Sequence, residues 1–212
     1  MRWETTWSLV TSAQCGAFDE FRVCAGSPYI DDSRNHLARW FLNETDYDKF
    51  LSLDSDISFV PQDLAQLAAD LDDGLECVSG CYYNVFEGVL KPVVKFLDAR
   101  LTPAQSDDPI MEVDKVGAGF VMVTREVLEK MAATYDEPSP WFYEPVVDGE
   151  HLGEDFGFCH RVHEIGAKVH IDLRVQLSHY KTVRLTGPNV PPLPNAGGGS
   201  FGPMKGGHLV DG

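Results

Sequence analysis

Two aspartates one residue apart close an apolar run in Phe50-Leu51-Ser52-Leu53-Asp54-Ser55-Asp56-Ile57-Ser58. Carboxylate oxygens bind hard divalent cations, and a cation held this way can grip a diphosphate. Open α/β sheets take their ligands beyond the carboxyl ends of the strands. A strand leading straight into Asp54 and Asp56 therefore reads as phosphate-ester or nucleotide-sugar chemistry. The plain alternative is a solvated turn, where aspartate is common. A calcium loop of the EF-hand kind is excluded by spacing: its sixth position is Phe59, not glycine, and its twelfth is Ala65, not glutamate.

Other groups join this pair. Glu154 and Asp155 follow Gly153 at an expected helix start. Carboxylates there can simply complement the helix dipole. Asp155 can equally serve as a general base toward an acceptor hydroxyl, kept ionised by the helix terminus. His179 follows the run Val175-Gln176-Leu177-Ser178; beside two aspartates it would be a third metal ligand, and otherwise it is structural. Asp31-Asp32-Ser33-Arg34-Asn35 opens a helix, where Arg34 suits a phosphate through paired hydrogen bonds and the helix terminus adds donors. The other reading is a capping cluster with a surface arginine. Gly117 and Gly119 permit close backbone approach to a ligand or relieve strand packing. Trp141, Phe142 and Tyr143 form an aromatic platform for a sugar, or anchor their loop.

The elements that must position these residues alternate between strands and helices over residues 31–186. Ser33 is expected to cap a helix carrying Leu37, Trp40 and Phe41. Residues 49–54 read as a buried parallel strand. Pro61 starts a helix with Leu64, Leu67, Ala68 and Leu71 on one face. Short strands are expected over 76–79 and 92–97, the latter at an edge because of Pro92. Residues 103–109 read as a polar loop, and 116–123 as a strand entered through Gly117-Ala118-Gly119. Thr124 caps a helix with Val127, Leu128 and Met131, and residues 137–149 form a loop. A helix opens at Gly153 and closes at Gly166, and 168–173 is the last clear strand. From Gly187 the chain is rich in Gly and Pro, which reads as a flexible tail.

The chain of 212 residues is 43% hydrophobic and carries a formal net charge of −16. That charge argues against a general electrostatic grip on nucleic acid. No apolar run approaches the roughly 20 residues needed to span a bilayer, and the first residues lack the pattern of a signal peptide. Five cysteines, without metal-finger spacing, point to free thiols and a reducing cytoplasm.

Taken in order, five stretches resemble glycosyltransferases of the GT-A fold. The likeness is to small phage-encoded or bacterial members, and more distantly to Anp1-type mannosyltransferases. The stretches are Ile30-Asp31-Asp32-Ser33-Arg34-Asn35-His36-Leu37, the run from Phe50 to Ile57, Val113-Asp114-Lys115-Val116-Gly117-Ala118-Gly119-Phe120-Val121-Met122-Val123, Gly153-Glu154-Asp155-Phe156-Gly157-Phe158-Cys159, and Leu177-Ser178-His179. The resemblance implies a single α/β domain over residues 1–186, with a mixed, mostly parallel Rossmann-like sheet flanked by helices. It implies Mn²⁺ or Mg²⁺ held by Asp54, Asp56 and His179. Asp32, Arg34, Asn35 and Ser55, with Gly117, Ala118 and Gly119, would line a UDP- or GDP-sugar. Asp155, with Glu154 beside it, would be the catalytic acid pair, and Trp141 and Tyr143 would meet the acceptor. A glycan, lipid, protein or modified DNA base are the acceptor classes. One departure stands out. Members begin with an apolar strand that helps hold the nucleotide base, and here the N-terminal strand is short or absent.

Two other functions fit parts of the pattern. Haloacid-dehalogenase-like phosphatases also carry an apolar strand followed by Asp-x-Asp, which would make Asp54 a nucleophile and Asp56 its acid–base partner. They need a late acidic pair, but Gly153 leads to Glu154, Asp155 and then Phe158. A nucleotide- or carbohydrate-binding protein that keeps the fold without turnover is the non-enzymatic alternative.

Overall fold

The computed structural model describes residues 1–86, 88–97, 108–147 and 149–182. The elements in chain order are α1 (Trp3–Gln14), α2 (Ile30–Glu44), β1 (Lys49–Leu53), β2 (Ile57–Ser58), α3 (Pro61–Asp72), β3 (Cys77–Cys81), β4 (Tyr83–Phe86), β5 (Val89–Pro92) and β6 (Val94–Phe96). There follow β7 (Ile110–Val116), β8 (Phe120–Thr124), α4 (Arg125–Thr134), β9 (Val146–Val147), β10 (Glu150–His151), α5 (Glu154–Glu164), β11 (Val169–Gln176) and β12 (Ser178–His179). Most of the loop expected at 103–109, and the tail from residue 187, lie outside the described residues.

A six-stranded sheet in the order β1-β8-β3-β11-β7-β6 organises the domain. Helices cover both faces. Leu128 and Met131 of α4, Phe158 and Val162 of α5 and Phe41 of α2 pack with Cys77, Val121 and Val169. On the opposite face Leu9 of α1 and Leu64, Leu67 and Leu71 of α3 pack with Val78, Phe120 and Met122. Successive strand residues point to opposite faces, so a strand covered on both sides is apolar throughout. That is why β3 is buried at all five positions.

The α/β class and the single helix-flanked domain match the sequence reading, but the sheet is not mostly parallel. Only β3 and β11 pair in parallel; the other four ladders of this sheet are antiparallel. β1 is an edge strand antiparallel to β8, with an alternating burial pattern. Its run of five residues, with Lys49 and Ser52 interrupting the apolar ones, suits a half-covered edge. The strand expected over 116–123 is two strands, β7 and β8, separated by Gly117-Ala118-Gly119. Part of the stretch expected over 92–97 forms β6 at the opposite edge, but Pro92 itself belongs to β5 of the separate β4–β5 hairpin, so it is not what places β6 there.

Helix boundaries follow local chemistry. Thr124 Oγ1 accepts the Val127 N–H at the start of α4. Gly166, at φ +81°, donates to His163 O after α5, a position that glycine fills without strain. α2 starts earlier than expected, at Ile30 with Tyr29 as its N-cap, so Ser33 is not the cap; its hydroxyl donates to Tyr29 O. The last carbonyls of α2 are satisfied from another element: Arg125 donates to Phe41 O, Leu42 O and Thr45 O. The first element is a helix, α1, where an N-terminal strand was expected to be short or absent. It is turned inside out, with Thr5, Ser8 and Ser12 buried and Trp3, Trp7 and Val10 exposed.

Candidate functional site

The carboxyl ends of β1 and β3 and the amino end of β8 meet at one place. Leu53 pairs with Phe120 and Ser79 with Val121. Asp54 N–H then donates to Gly119 O at 2.9 Å, which locks the Asp54 turn onto the Gly117–Gly119 segment. The chain turns over Ser55 into β2. Ser55 O accepts from Arg2 N–H at 2.8 Å and Thr5 Oγ1 at 3.1 Å, so α1 clamps this turn from outside.

Asp54 and Asp56 have different partners. Asp54 Oδ1 lies 2.7 Å from Arg34 Nη2. Arg34 is buried, and its other amino group pairs with Glu154 at the start of α5. One guanidinium thus ties the Asp54 turn to the α5 N-terminus. Asp56 Oδ2 is met by Lys181 Nζ at 3.0 Å and His179 Nε2 at 3.4 Å. A long-range ladder creates this second meeting: β12 pairs with β2 so that His179 lies opposite Ile57, and Tyr180 N–H donates to Asp56 O. His179 Nδ1 lies 2.9 Å from Tyr83 O. A carbonyl only accepts, so Nδ1 carries a proton, and Nε2 faces the Asp56 carboxylate.

Asp155 sits one residue into α5. Burial first, and the neighbouring Glu154 carboxylate second, push its pKa up to about 6 from 3.8. The Phe156 N–H, bonded to Asp155 Oδ1 at 2.8 Å, and the Arg34 charge pull the other way. Between these groups stands Tyr82, a residue the sequence did not single out. Its hydroxyl accepts the Gly119 N–H at 3.2 Å, and its ring meets the His179 ring edge-on at 5.3 Å. Burial, with Asp54 and Asp155 nearby, raises its pKa, so it stays a neutral phenol. A Cβ on Gly119 would stand 3.0 Å from Tyr82 Oη and 3.1 Å from Asp54 Oδ2. Gly119 therefore borders the site, whereas a Cβ on Gly117 would fall 2.1 Å from Tyr82 Oη. The Gly117 position is needed for packing of this tyrosine.

Several expected residues have other work. Asn35 is buried and fully engaged. Its amide donates to Asp31 O and Phe142 O, and its oxygen accepts the Trp141 and Phe142 N–H groups. It fixes a loop and has no capacity left for a nucleotide. Trp141 is buried in the core, with its indole N–H bonded to Leu128 O at 2.9 Å, so it offers no face to an acceptor. The Tyr143 ring is covered by the Arg161 guanidinium 3.6 Å from its centre. Ala118 is buried, while Asp32 and Ser55 are exposed beside the site. Arg34 is an internal strut between carboxylates and not a surface phosphate ligand.

A cleft of about 570 Å³ opens beside Asp54 along the free edge of β1. It runs between that edge, α2 and residues 17–28, and Phe18, Trp40, Phe50, Arg34, Asp54 and Ser55 are among its walls. Its volume is within the range of small-molecule sites.

A divalent cation would find two protein ligands here, Asp56 and His179. Among the described residues no group of three or more histidine, cysteine, aspartate or glutamate side chains is arranged to hold a metal. Two ligands suit a cation whose remaining positions are filled by phosphate oxygens and water, the usual manner of Mg²⁺. Asp56 supplies the carboxylate for such a site with His179 Nε2 as its neighbour, and Asp54, tied to Arg34, stands outside it.

No family model matches the sequence, and no curated protein matches it. Among solved structures that it resembles is the crystal structure of A197 from STIV, with a TM-score of 0.58 and 19% sequence identity over 84% of this chain and 80% of that one. At that identity the likeness shows a shared fold. No helix among the described residues is long and apolar enough to cross a membrane.

Proposed function

We propose that this chain is a metal-dependent glycosyltransferase of the GT-A type, which moves a sugar from a nucleotide-sugar to an acceptor hydroxyl. The observation that carries this reading is the gathering around Tyr82 of Asp54, Asp155 and the His179 that pairs with Asp56, with a cleft of about 570 Å³ walled by Asp54 and Ser55. The cleft beside Asp54 and Ser55 suits the nucleoside, and the Asp56–His179 pair suits the diphosphate through Mn²⁺ or Mg²⁺. When bound, that cation neutralises the charge of the departing diphosphate.

The protein's own residues supply the rest. Asp155, ionised above about pH 6, accepts the proton of the acceptor hydroxyl. The acceptor oxygen forms its bond to the anomeric carbon as the bond from that carbon to the phosphate oxygen breaks, and the nucleoside diphosphate leaves with the electron pair. Arg34 holds Glu154 and Asp54 together and keeps both carboxylates from drifting into the reacting space. Gly119 avoids the crowding that a Cβ would meet from Tyr82 and Asp54. The phosphatase alternative needs Asp54 as a free nucleophile, and its carboxylate is held by Arg34 at 2.7 Å.

The test is a screen of UDP- and GDP-sugars with Mn²⁺, reading nucleoside diphosphate release in wild-type protein and in Asp56→Asn and Asp155→Asn. Metal-dependent release lost in Asp56→Asn supports the reading. Release from no nucleotide-sugar, together with hydrolysis of a generic phosphate ester, refutes it in favour of the phosphatase.

A further inference from the structure

Lys181 occupies a place that the proposed function does not use. Its ammonium lies 3.0 Å from Asp56 Oδ2, the same oxygen that faces His179 Nε2 at 3.4 Å. The His179 side chain is only 7% exposed, and its Nδ1 is committed to Tyr83 O. The imidazole therefore cannot turn away without breaking that bond, and its Nε2 stays aimed at the carboxylate. Around Asp56 the fold has placed a fixed imidazole, and the half-exposed Lys181 side chain brings a permanent positive charge. The Lys181 side chain is 48% exposed and lies past the last strand, so it is free to leave.

We propose that Lys181 is the resident counter-ion of the Asp56–His179 pair, that it holds this pair against free divalent cations, and that it moves to a ligand's diphosphate when a cation and a diphosphate arrive together. The inference rests on Asp56 and His179 being the cation ligands. Physically it is a competition for one oxygen. A divalent cation at Asp56 Oδ2 would stand within a few ångströms of the ammonium, and the repulsion between them opposes binding. A diphosphate supplies a new anionic partner for the ammonium, so the repulsion turns into a shared attraction. Cation and diphosphate then bind with positive coupling, each raising the affinity for the other by the same factor. A lysine suits this exchange better than an arginine, being a compact point charge on a flexible stem.

The experiment measures Mn²⁺ binding by electron paramagnetic resonance of the free ion, in wild-type protein and in Lys181→Met, Lys181→Arg and Asp56→Asn, with no nucleotide present. Affinity for whichever of UDP, GDP and ADP binds wild-type protein most tightly is then measured at saturating Mn²⁺. The expected result for Lys181→Met has two opposite signs: Mn²⁺ alone binds about tenfold more tightly, and the diphosphate binds about tenfold more weakly. These factors correspond to a partly exposed charge pair. Lys181→Arg should keep Mn²⁺ binding near wild type, and Asp56→Asn should abolish it. If wild type and Lys181→Met bind Mn²⁺ equally while Asp56→Asn does not, the counter-ion role is overturned and the cation site stands. If Lys181→Met gains Mn²⁺ affinity but holds the diphosphate as well as wild type, the transfer to the diphosphate is overturned. If no variant binds Mn²⁺ with or without a diphosphate, the cation site falls as well.

Discussion

Replacing Arg34 by methionine should destabilise the protein strongly, and by an amount that depends on pH. The guanidinium is buried and bridges Asp54, at 2.7 Å, and Glu154, with Asp155 as a third carboxylate nearby. Methionine keeps much of the stem but leaves three carboxylates facing each other without a counter-ion. Removing one partner of a buried ion pair costs about 3–5 kcal/mol. Asp54 is 31% exposed and recovers some hydration, so the lower end, about 3 kcal/mol, is expected at pH 8. At pH 5 the loss should be smaller. Asp155 already has its pKa pushed up to about 6, and losing the Arg34 charge raises it further, so the carboxyl holds its proton and the repulsion fades. Urea unfolding followed by tryptophan fluorescence reads this directly. With a slope of about 2–3 kcal/mol per molar, the midpoint at pH 8 should fall by about 1 M or more. Arg34→Lys should lie between the two, since an ammonium cannot present a planar fork to two carboxylates. A midpoint for Arg34→Met within experimental error of wild type at pH 8, or an equal loss at pH 5 and pH 8, would refute the account of Arg34 as the counter-ion of this cluster.

The remaining predictions concern the same site. Asp155→Asn should lower transfer by roughly two to four orders of magnitude, and wild-type activity should rise with pH through about 6 as Asp155 ionises; a pH profile flat between 5 and 8 would remove Asp155 as the base. The same substitution should raise stability at pH 8 but not at pH 4. The native state holds the Asp155 proton up to about pH 6 and the unfolded chain only to about 3.8, so wild-type stability falls between these values, and asparagine, by about 1–2 kcal/mol at pH 8, escapes the penalty; chemical denaturation at both pH values checks it. His179→Ala should weaken Mn²⁺ binding by about 10–100-fold or more, measured by titration with the free ion, and should also lower stability by about 1–3 kcal/mol, since the buried ring and its bond to Tyr83 O are lost; unchanged affinity in the folded variant would take His179 out of the cation site. Gly117→Ala should cost about 1–3 kcal/mol by driving its Cβ into the Tyr82 hydroxyl, 2.1 Å away, and Tyr82→Phe in the same chain should recover part of it; a neutral Gly117→Ala in thermal unfolding would contradict the packing argument.

Much of the fold was legible because its helices and central strands obey local rules. α3 and α4 start where Pro61 and Thr124 put them, and α5 runs from Gly153 to the Gly166 turn. α1 was illegible for a physical reason. Its apolar residues Trp3, Trp7 and Val10 face solvent, and its buried face sets Thr5, Ser8 and Ser12 beside Leu9. Periodicity reasoning presumes that the apolar stripe points inward, and here it does not. The direction of the sheet was misjudged because the short run at 49–53 does not reveal whether a strand is central or at an edge. Burial pattern iBiBi belongs to a half-covered strand, yet Leu51 and Leu53 look the same in sequence in either place.

The site divides along the same line between local and long-range information. The spacing of Asp54 and Asp56, and of Glu154 and Asp155, is local and could be read. What Glu154 and Asp56 touch is set by partners more than a hundred positions away: Arg34 reaches across 120 residues to Glu154, and Lys181 across 125 to Asp56. Asn35 shows how this misleads. Next to Arg34 at the start of a helix it looked like a ligand of a nucleotide, but its four hydrogen-bonding positions serve the backbone at 31, 141 and 142. By satisfying those amides it lets Trp141 sink into the core, and this one asparagine therefore overturns two expectations at once. Tyr82 was overlooked for the opposite reason. A tyrosine after a buried strand carries no motif, and it matters only because the chain returns at Gly119 and again at His179 to meet it. Chemistry-bearing pairs can thus be read from spacing along the chain, but the residues that hold their charges apart emerge only when the sheet brings its carboxyl ends together.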